Sequence, residues 1–515
     1  MKEFIKKNKI NLVVMLCYSI ITFITLLFHE SWRDEAQAWL IARDLNIIDI
    51  FRQMKYEGHP VIWYLILVPF AKLGLPYIFV KIVSWLICNI AVWLILKKAP
   101  FNLILKILFI FSMPMIYLYP SISRSYCLIP LAITIVAIYF GQRHEKPIQY
   151  ILSILFLANT HVIMYGMVGI LLLLFYIEEL IQNRKTNSKE QKKKVYISLI
   201  VIIVGLILTL IPILISMTTN TDVSLTSNIS IFEDTKLKME NAYKEIMTGC
   251  FGENELILKI VAIALIILLC YEIRYHFKNA LIIICTEGLQ FLIYTYIYMG
   301  SEQRVSTLIL LMMFIFWIQN DKKEKTVNID KNEKELVNNQ KYLKRQKRKE
   351  QLTNLAEYIL VFVLIINIAN GMDTVNKEIK TTYSSSYETA EWIKSNLEDD
   401  SIFICTNMPL SSAIIPYIDK EVFWSPQTLD YFSFTTWDEN YRTGYSLRDL
   451  QKRVKDNFEA DQNLYLIYTY DFDEMTMNFL EIQGYITEIF ESDVSVQEKY
   501  TIYKIEQKFM LAESI

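Results

Sequence analysis

The chain has 515 residues, 53% of them apolar and 21% charged, with a net charge of −2. So high an apolar share beside so many charges requires the two to be segregated into blocks, and the absence of a basic face interleaved with aromatics excludes a nucleic-acid partner. Seven cysteines without C-x-x-C spacing give neither a disulfide framework nor a zinc site; only Cys250 and Cys405 fall in polar stretches.

Taken in chain order, the basic start Met1-Lys-Glu-Phe-Ile-Lys-Lys precedes an apolar run at 10–28. It resembles a signal peptide, but no small-residue cleavage site follows near Phe28-His29-Glu30-Ser31, so a retained first span is expected. Further runs at 76–96, 102–120, 125–141, 148–160, 162–181, 196–217, 256–275, 279–299, 304–319 and 354–371 bring the expected crossings to about eleven. The segment 60–74 is short for a crossing and contains Pro69, so charge must decide its place. If it does not cross, Lys97-Lys98, the 142–147 turn, the six Lys/Arg between 184 and 194, the 274–278 turn and the eleven Lys/Arg between 322 and 349 share one side with the N-terminus. That is the positive-inside pattern. The segment is therefore expected to be an interfacial or re-entrant helix.

This arrangement makes the chain a polytopic α-helical membrane protein. The expected transmembrane domain is 1–371, with an external loop at 29–59 carrying interfacial helices and a charged, solvated cytoplasmic loop at 321–353. The N-terminus is expected in the cytoplasm. From 378 to 515 the texture is that of an extracytoplasmic α/β domain: a capping box at Ser385 to Glu388 opens a helix through Trp392, then come a strand at 401–406, a helix at 446–458, a strand at 464–469, a helix at 472–483 and strands at 486–490 and 499–505. The long loop at 218–255 carries no element of its own in this reading.

The polar residues that need explaining lie at one end of these runs. Asp34 and Glu35 are adjacent acids at the start of an amphipathic segment, where capping and the helix dipole already favour them. Their company points beyond capping: Glu57-Gly58-His59-Pro60, Arg124 in Ser123-Arg-Ser-Tyr126, His161 and Arg304 all fall at the same expected depth. Interfacial arginines can simply snorkel, and a lone interfacial histidine is usually structural. Carboxylates, imidazoles and arginines together suit a phosphate-bearing ligand: arginines hold the phosphate and a carboxylate takes a proton from an incoming hydroxyl. Histidines beside a carboxylate pair are also the residue types to hold a divalent metal; Glu35, His59 and His161 form the candidate set. On an outer face, a lipid-linked phosphate fits better than a soluble nucleotide.

Trp32-Arg-Asp-Glu-Ala-Gln-Ala-Trp39, Tyr56-Glu-Gly-His-Pro60 with Trp63-Tyr64, Ser123-Arg-Ser-Tyr126 and Ala158-Asn-Thr-His161 together resemble the bacterial GT-C superfamily of membrane glycosyltransferases, which includes protein O-mannosyltransferases and the lipid A aminoarabinose transferase. The resemblance covers residues 30–165 best. It implies a polyprenyl-phosphate sugar donor, with Asp34 as catalytic base, Glu35 as a second acid or metal-side contact, His59 in the wall beside the base, and Arg124 on the donor phosphate. Tyr126 follows Arg124 in the same motif and joins the substrate-binding set. Arg304 matches a late Arg-His of related sequences but is followed by Val305. Ser411-Ser-Ala-Ile-Ile-Pro-Tyr417 and Phe434-Thr-Thr-Trp437-Asp438 resemble domains appended to such proteins.

The expected function is therefore transfer of a sugar from a polyprenyl-phosphate donor to a hydroxyl of an envelope glycan, lipid or protein, with a divalent metal ion of unspecified identity. The alternatives are a transporter or flippase of a lipid-linked sugar, for which no internal repeat is visible, and a non-catalytic relative that binds partners through the C-terminal domain.

Overall fold

The computed structural model describes residues 2–183, 189–218, 234–329, 340–418, 421–437, 444–469, 471–493, 495 and 498–513. Six described helices are long and apolar enough to cross a bilayer, at Asn8–Phe28, Phe79–Lys98, Val162–Ile181, Glu255–Tyr275, Phe277–Tyr296 and Glu350–Lys380, and a bent pair makes a seventh. The chain is a multi-pass membrane protein. The spans belong to α1 (Lys2–Phe28), α5 (Phe79–Lys98), α10 (Tyr165–Asn183), α13 (Glu255–Tyr275), α14 (Phe277–Tyr296) and α17 (Gln340–Lys380), and shorter apolar helices such as α8 (Leu128–Phe140) and α9 (Pro147–Ala158) pack among them.

Between α1 and α5 the chain stays at one end of the bundle. α2 (Arg33–Asp44), α3 (Ile47–Glu57) and α4 (Ile62–Lys72) follow in quick succession, α4 packing along α2. Lys72 Nζ reaches the carbonyl of Arg43 at 2.5 Å, and Tyr64 OH donates to Glu57 at 3.1 Å, so both ends of α4 lie against the same layer. At the opposite end Lys97 at the close of α5 is hydrogen-bonded to Asn8 near the start of α1. The turn after α8 and the ends of α10 and α14 also meet there, where Glu178 pairs with Arg143 at 2.8 Å and Lys278 at 2.6 Å.

The run at 102–120 departs from the single straight helix its composition suggests. α6 (Leu103–Ile110) stops before Pro114, and a π-helical turn Pro114–Leu118 leads into α7 (Tyr119–Ser121), with a bend of 57° across the break. Proline has no N–H and clashes with the preceding turn, so the ladder must open here. Within a bilayer the freed groups need partners from the protein. Asn367 of α17 supplies one: its Oδ1 accepts from Met113 N at 2.9 Å while its Nδ2 donates to Cys250 O at 2.8 Å. Gly371, one turn later, lets α17 press on the break, for a Cβ there would lie 2.8 Å from Met113 Cα.

Two polar loops hold more helix than their composition suggests. The 218–255 loop contains α12 (Thr235–Phe251), and its residues 219–233 lie outside the described ones. The charged 321–350 stretch is entered by α16 (Thr307–Ile329) and left by α17, with 330–339 outside the described residues, as are 184–188 of the earlier basic cluster. Helix continuing out of a span costs little, because its backbone is already paired.

The C-terminal region forms a mixed six-stranded sheet in the order β3-β2-β1-β4-β6-β5, from β1 (Ile402–Cys405), β2 (Phe423–Ser425), β3 (Asp430–Tyr431), β4 (Leu464–Tyr468), β5 (Ile486–Glu491) and β6 (Thr501–Ile505). β1 runs parallel to β2 and β4; the other pairs are antiparallel. The central strands β1, β2 and β4 are buried on both faces, while β3 is exposed and β5 is only partly buried. Phe403, Cys405, Tyr465 and Ile467 join the core that continues into the helical bundle, whereas Ile404, Leu464 and Leu466 pack under α20 (Leu447–Asn457) and α21 (Glu474–Ile482). β2 and β3 were not expected from sequence. The capping box at Ser385 is also not formed: Ser385 Oγ donates to Asp493 O at 3.1 Å and Glu388 accepts from Asp493 N at 3.1 Å, so both side chains tie α18 (Ser386–Asn396) to a distant loop.

Replacing Asn367 by Leu keeps the volume but strands the buried Met113 N–H and Cys250 C=O. The expected loss is about 1–3 kcal/mol for each group left unpaired, read as a lower thermal midpoint in detergent. An unchanged midpoint would show that the bend does not depend on this residue.

Candidate active site

The site is built where α2, α3 and the Ser123–Ser125 turn meet the C-terminal domain. A cavity of about 450 Å³ lies there, lined by Asp34 and Gln37 of α2, Glu57, His59 and Tyr64 beside them, and Arg124. Asn407, Pro409, Ser412, Thr435 and Trp437 of the C-terminal domain complete its wall. Asp34 Oδ2 pairs with Arg124 Nη1 at 2.6 Å, and Asp34 keeps 31% of its side-chain exposure, toward the cavity. Burial works against the Arg124 charge, but Asp34 overcomes it and holds the guanidinium firmly protonated. The same guanidinium lies over the rings of Trp32 and Tyr126, at 5.9 and 5.5 Å from their centroids.

Glu35 has a different place from its neighbour. One residue on in a helix turns a side chain by about 100°, and Glu35 is fully buried, facing away from the cavity. Its Oε1 accepts from Ser123 N at 2.6 Å, and its Oε2 accepts from Trp32 N at 3.1 Å and meets His29 Nε2 at 3.0 Å. His29 Nδ1 in turn meets Glu378 Oε1 at 2.7 Å, and Tyr117 OH donates to Glu378 Oε2 at 2.6 Å. Burial alone would lower the His29 pKa, but the two carboxylates raise it to about 9. Burial likewise opposes ionisation of Glu35, yet His29, Lys81 and the Ser123 N–H hold its pKa below the usual range. Glu35, placed by sequence as a second acid or metal-side contact, does not line the cavity; its carboxylate is taken up by Trp32, Ser123 and His29 and fixes the geometry around Asp34.

The C-terminal domain adds a further tie. Arg33 N, in the first turn of α2, donates to Glu498 Oε1 at 3.0 Å, and Glu498 Oε2 accepts from Ser384 Oγ at 2.8 Å. Burial raises the Glu498 pKa to about 7, with these donors opposing the rise. A carboxylate from a separate domain thus caps the helix that carries Asp34.

His59 and His161 are adjacent, with ring centroids 5.0 Å apart, and Tyr126 stacks on His161 at 4.6 Å. Arg304 donates to Tyr126 OH at 3.0 Å. Tyr126, His161 and Arg304 therefore form a layer behind the cavity, and only His59 of this group lines it. His59 is held neutral by burial and then by Arg124 and Arg304, its pKa lowered to about 3, and His161 is pushed well down for the same reasons. His59 Nε2 faces Arg124 Nη2 at 3.4 Å, and His161 Nδ1 accepts from Ile163 N at 3.3 Å, so the lone pairs of both rings are already directed at N–H donors.

Those lone pairs bear on the metal set expected from sequence. Glu35, His59 and His161 do not fit a metal ion together, because Glu35 is held by His29 and Ser123 while both imidazoles give their lone pairs to N–H groups beside two arginines. Among the described residues no group of three or more His, Cys, Asp or Glu side chains is gathered as a metal would require.

Glu57 was visible in the Glu57-Gly58-His59-Pro60 motif but was not among the candidates. It accepts from Gln37 Nε2 at 2.8 Å, Gln53 Nε2 at 3.1 Å and Tyr64 OH at 3.1 Å, and burial raises its pKa against these three donors. Gly58 follows in the left-handed region at φ 64°, which ends α3 and turns His59 toward Arg124. Among the C-terminal segments singled out, Ser412, Thr435 and Trp437 reach the cavity; Asp438 lies outside the described residues.

No family model matches the sequence, and no curated protein sequence matches it. Among solved structures, that of ArnT from Cupriavidus metallidurans bound to undecaprenyl phosphate is similar over 96% of this chain and 98% of its own, with a TM-score of 0.52 at 10% identity. The arabinofuranosyltransferase AftD from mycobacteria aligns with 97% of this chain and 40% of its own, at 11% identity and a TM-score of 0.39. The chain therefore shares the overall fold of that ArnT structure.

The His29 junction has a pH signature. A folded-state pKa of about 9 against 6.5 for an unperturbed imidazole means that the protonated bridge stabilises the fold fully below 6.5 and is lost as pH rises through about 9. His29→Gln is expected to lower the thermal midpoint at pH 7 and to flatten its fall between pH 7 and 10. An identical alkaline limb in the variant would show that His29 is not the group responsible.

Proposed function

We propose that the chain is a glycosyltransferase that moves a sugar from a polyprenyl-phosphate donor to an acceptor hydroxyl at the cavity described above. The observation that carries this reading is the Asp34–Arg124 ion pair at 2.6 Å in a cavity walled jointly by the bundle and the C-terminal domain. Fold alone does not give an activity; the pairing of a carboxylate with a guanidinium beside hydrogen-bonding groups is what supports this one. The ArnT structure, which holds undecaprenyl phosphate, supports the donor class.

In this reading the donor phosphate takes a share of the Arg124 guanidinium, for which a phosphate offers two oxygens in matching geometry. Asp34 is released toward the acceptor. The acceptor oxygen forms a bond to the anomeric carbon as the bond from that carbon to the phosphate oxygen breaks, the proton passes to Asp34, and polyprenyl phosphate leaves with the bonding electrons. Glu57, which lines the cavity, accepts from sugar hydroxyls, and Gln37 holds Glu57 and the Thr435 backbone in place. Glu35, His29 and Glu378 act through Asp34 as positioning residues.

The reading also orients the chain. The end opposite the cavity carries Lys97, Lys98, Arg143 and Lys278, and basic loops favour the cytoplasm. The cavity and the C-terminal domain are then extracytoplasmic, where a lipid-linked donor is available and a soluble nucleotide is not. The acceptor is a hydroxyl of an envelope glycan, lipid or protein.

Purified Asp34→Asn protein is expected to lose about 10²–10⁴-fold in kcat for sugar transfer from a labelled polyprenyl-phosphate sugar, with little change in donor KM. Arg124→Lys is expected chiefly to raise donor KM, because it loses the two-point contact. Full transfer by Asp34→Asn would remove Asp34 from its role. Orientation is tested by Asp34→Cys in a background lacking the native cysteines: labelling by an impermeant maleimide from outside intact cells is expected, and labelling only after permeabilisation would reverse the topology.

A further inference from the structure

A second cavity, of about 530 Å³, lies in the C-terminal domain, lined by residues that include Gln427, Thr428, Asp430, Tyr431, Phe434 and Arg453. One partition separates it from the cavity at Asp34. Over residues 434–437 the lining alternates: Phe434 and Thr436 face the outer cavity, while Thr435 and Trp437 face the inner one. At the start of the short helix Met408–Ser411, Met408 lines the outer cavity and Asn407 and Pro409 the inner.

The partition hangs from the helices that carry the acid. Gln37 Nε2 donates to Thr435 O at 2.7 Å and Gln37 Oε1 accepts from Thr435 N at 2.9 Å. Gln53 Nε2 donates to Thr436 O at 3.2 Å, and Arg43 Nη2 to Ser433 Oγ at 3.1 Å. Non-glycine residues in the left-handed region stand at both ends of the stretch, Leu429 at φ 61° and Trp437 at φ 54°. Such conformations are unfavourable for residues with a Cβ and persist where the surroundings impose them.

We propose that the outer cavity is a subsite for the acceptor, and that the acceptor is a saccharide chain whose terminal hydroxyl extends past the partition to Asp34. The proposal rests on the glycosyltransferase reading and deepens it by naming the acceptor class. Aromatic rings at Tyr431 and Phe434 suit the apolar faces of sugar rings, and the amide, hydroxyl, carboxylate and guanidinium groups around them suit the hydroxyl edges. A peptide adding a strand is disfavoured because the edge strand here, β3, has only two residues, Asp430 and Tyr431.

The test uses the full chain in lipid nanodiscs, without donor, and saturation-transfer NMR with chitohexaose, mannohexaose and maltohexaose, their monosaccharides and a polar hexapeptide. At least one hexasaccharide is expected to bind more tightly than its monosaccharide. Its Kd should rise about tenfold in Tyr431→Ala, which removes one ring at a partly exposed edge, and binding should vanish in Thr428→Trp, which fills the cavity. Both variants are checked for an unchanged thermal midpoint; if Tyr431→Ala is unstable, Thr428→Trp decides. Binding is expected to survive in Asp34→Asn. Absence of hexasaccharide binding, binding unaltered in the stable variants, or binding of the peptide in their place would overturn the proposal. If donor turnover is intact while no saccharide binds, only this inference fails; if Asp34→Asn transfers normally while saccharide still binds, only the catalytic reading fails.

Discussion

The buried carboxylate of Glu35 is the point from which the rest of the site takes its position. It accepts hydrogen bonds from Trp32 N and Ser123 N and meets His29, which is held from its other side by Glu378 at the end of the last span. These contacts join the end of α1, the start of α2, the turn that presents Arg124, and α17, elements separated by as many as 349 residues. An anion buried without partners would be strongly unfavourable, so each donor is as necessary to the carboxylate as the carboxylate is to them. Asp34, one residue earlier, inherits a fixed direction. The same rigid frame explains how an ion pair that retains solvent access can hold a 2.6 Å geometry.

The C-terminal domain is part of this frame as well as its cover. Glu498 caps the first turn of α2, Ser386 Oγ donates to Ser31 O at 3.0 Å, and Gln37 pairs with the backbone of Thr435. The apolar core is continuous from the bundle into the inner face of the sheet. Separating the domain from the bundle would therefore remove one wall of the cavity and loosen the helix that bears the acid.

Much of this was legible in the sequence, and what was not has identifiable causes. The apolar runs and their flanking charges gave the multi-pass class, and the motif spacing from Asp34 through His59 to Arg124 pointed to residues that the folded chain brings together. Sequence adjacency did not show that Asp34 and Glu35 part company: neighbouring residues on a helix face different ways, and one donor that fixes Glu35, Ser123 N, lies 88 residues along the chain. In the metal set expected from sequence, Glu35 is turned to His29 and Ser123 while the imidazole lone pairs of His59 and His161 meet side-chain and backbone donors that a sequence does not display. The break before Pro114 was written in the proline, but its repair by Asn367 required knowing which helix lies alongside. The walls supplied by Asn407, Thr435 and Trp437 come from loops whose composition carries no signal of what they cover.

The central claim is that Arg124 beside Asp34 receives the phosphate of a lipid-linked sugar. The most direct measurement is a cryo-EM map of the full chain in nanodiscs with undecaprenyl phosphate added. The account predicts phosphate density within hydrogen-bonding distance of the Arg124 guanidinium, in the cavity between α2 and the C-terminal domain, and loss of that density in Arg124→Ala. Density for the phosphate at any other place in the bundle, with the Asp34–Arg124 pair unaltered, would contradict it.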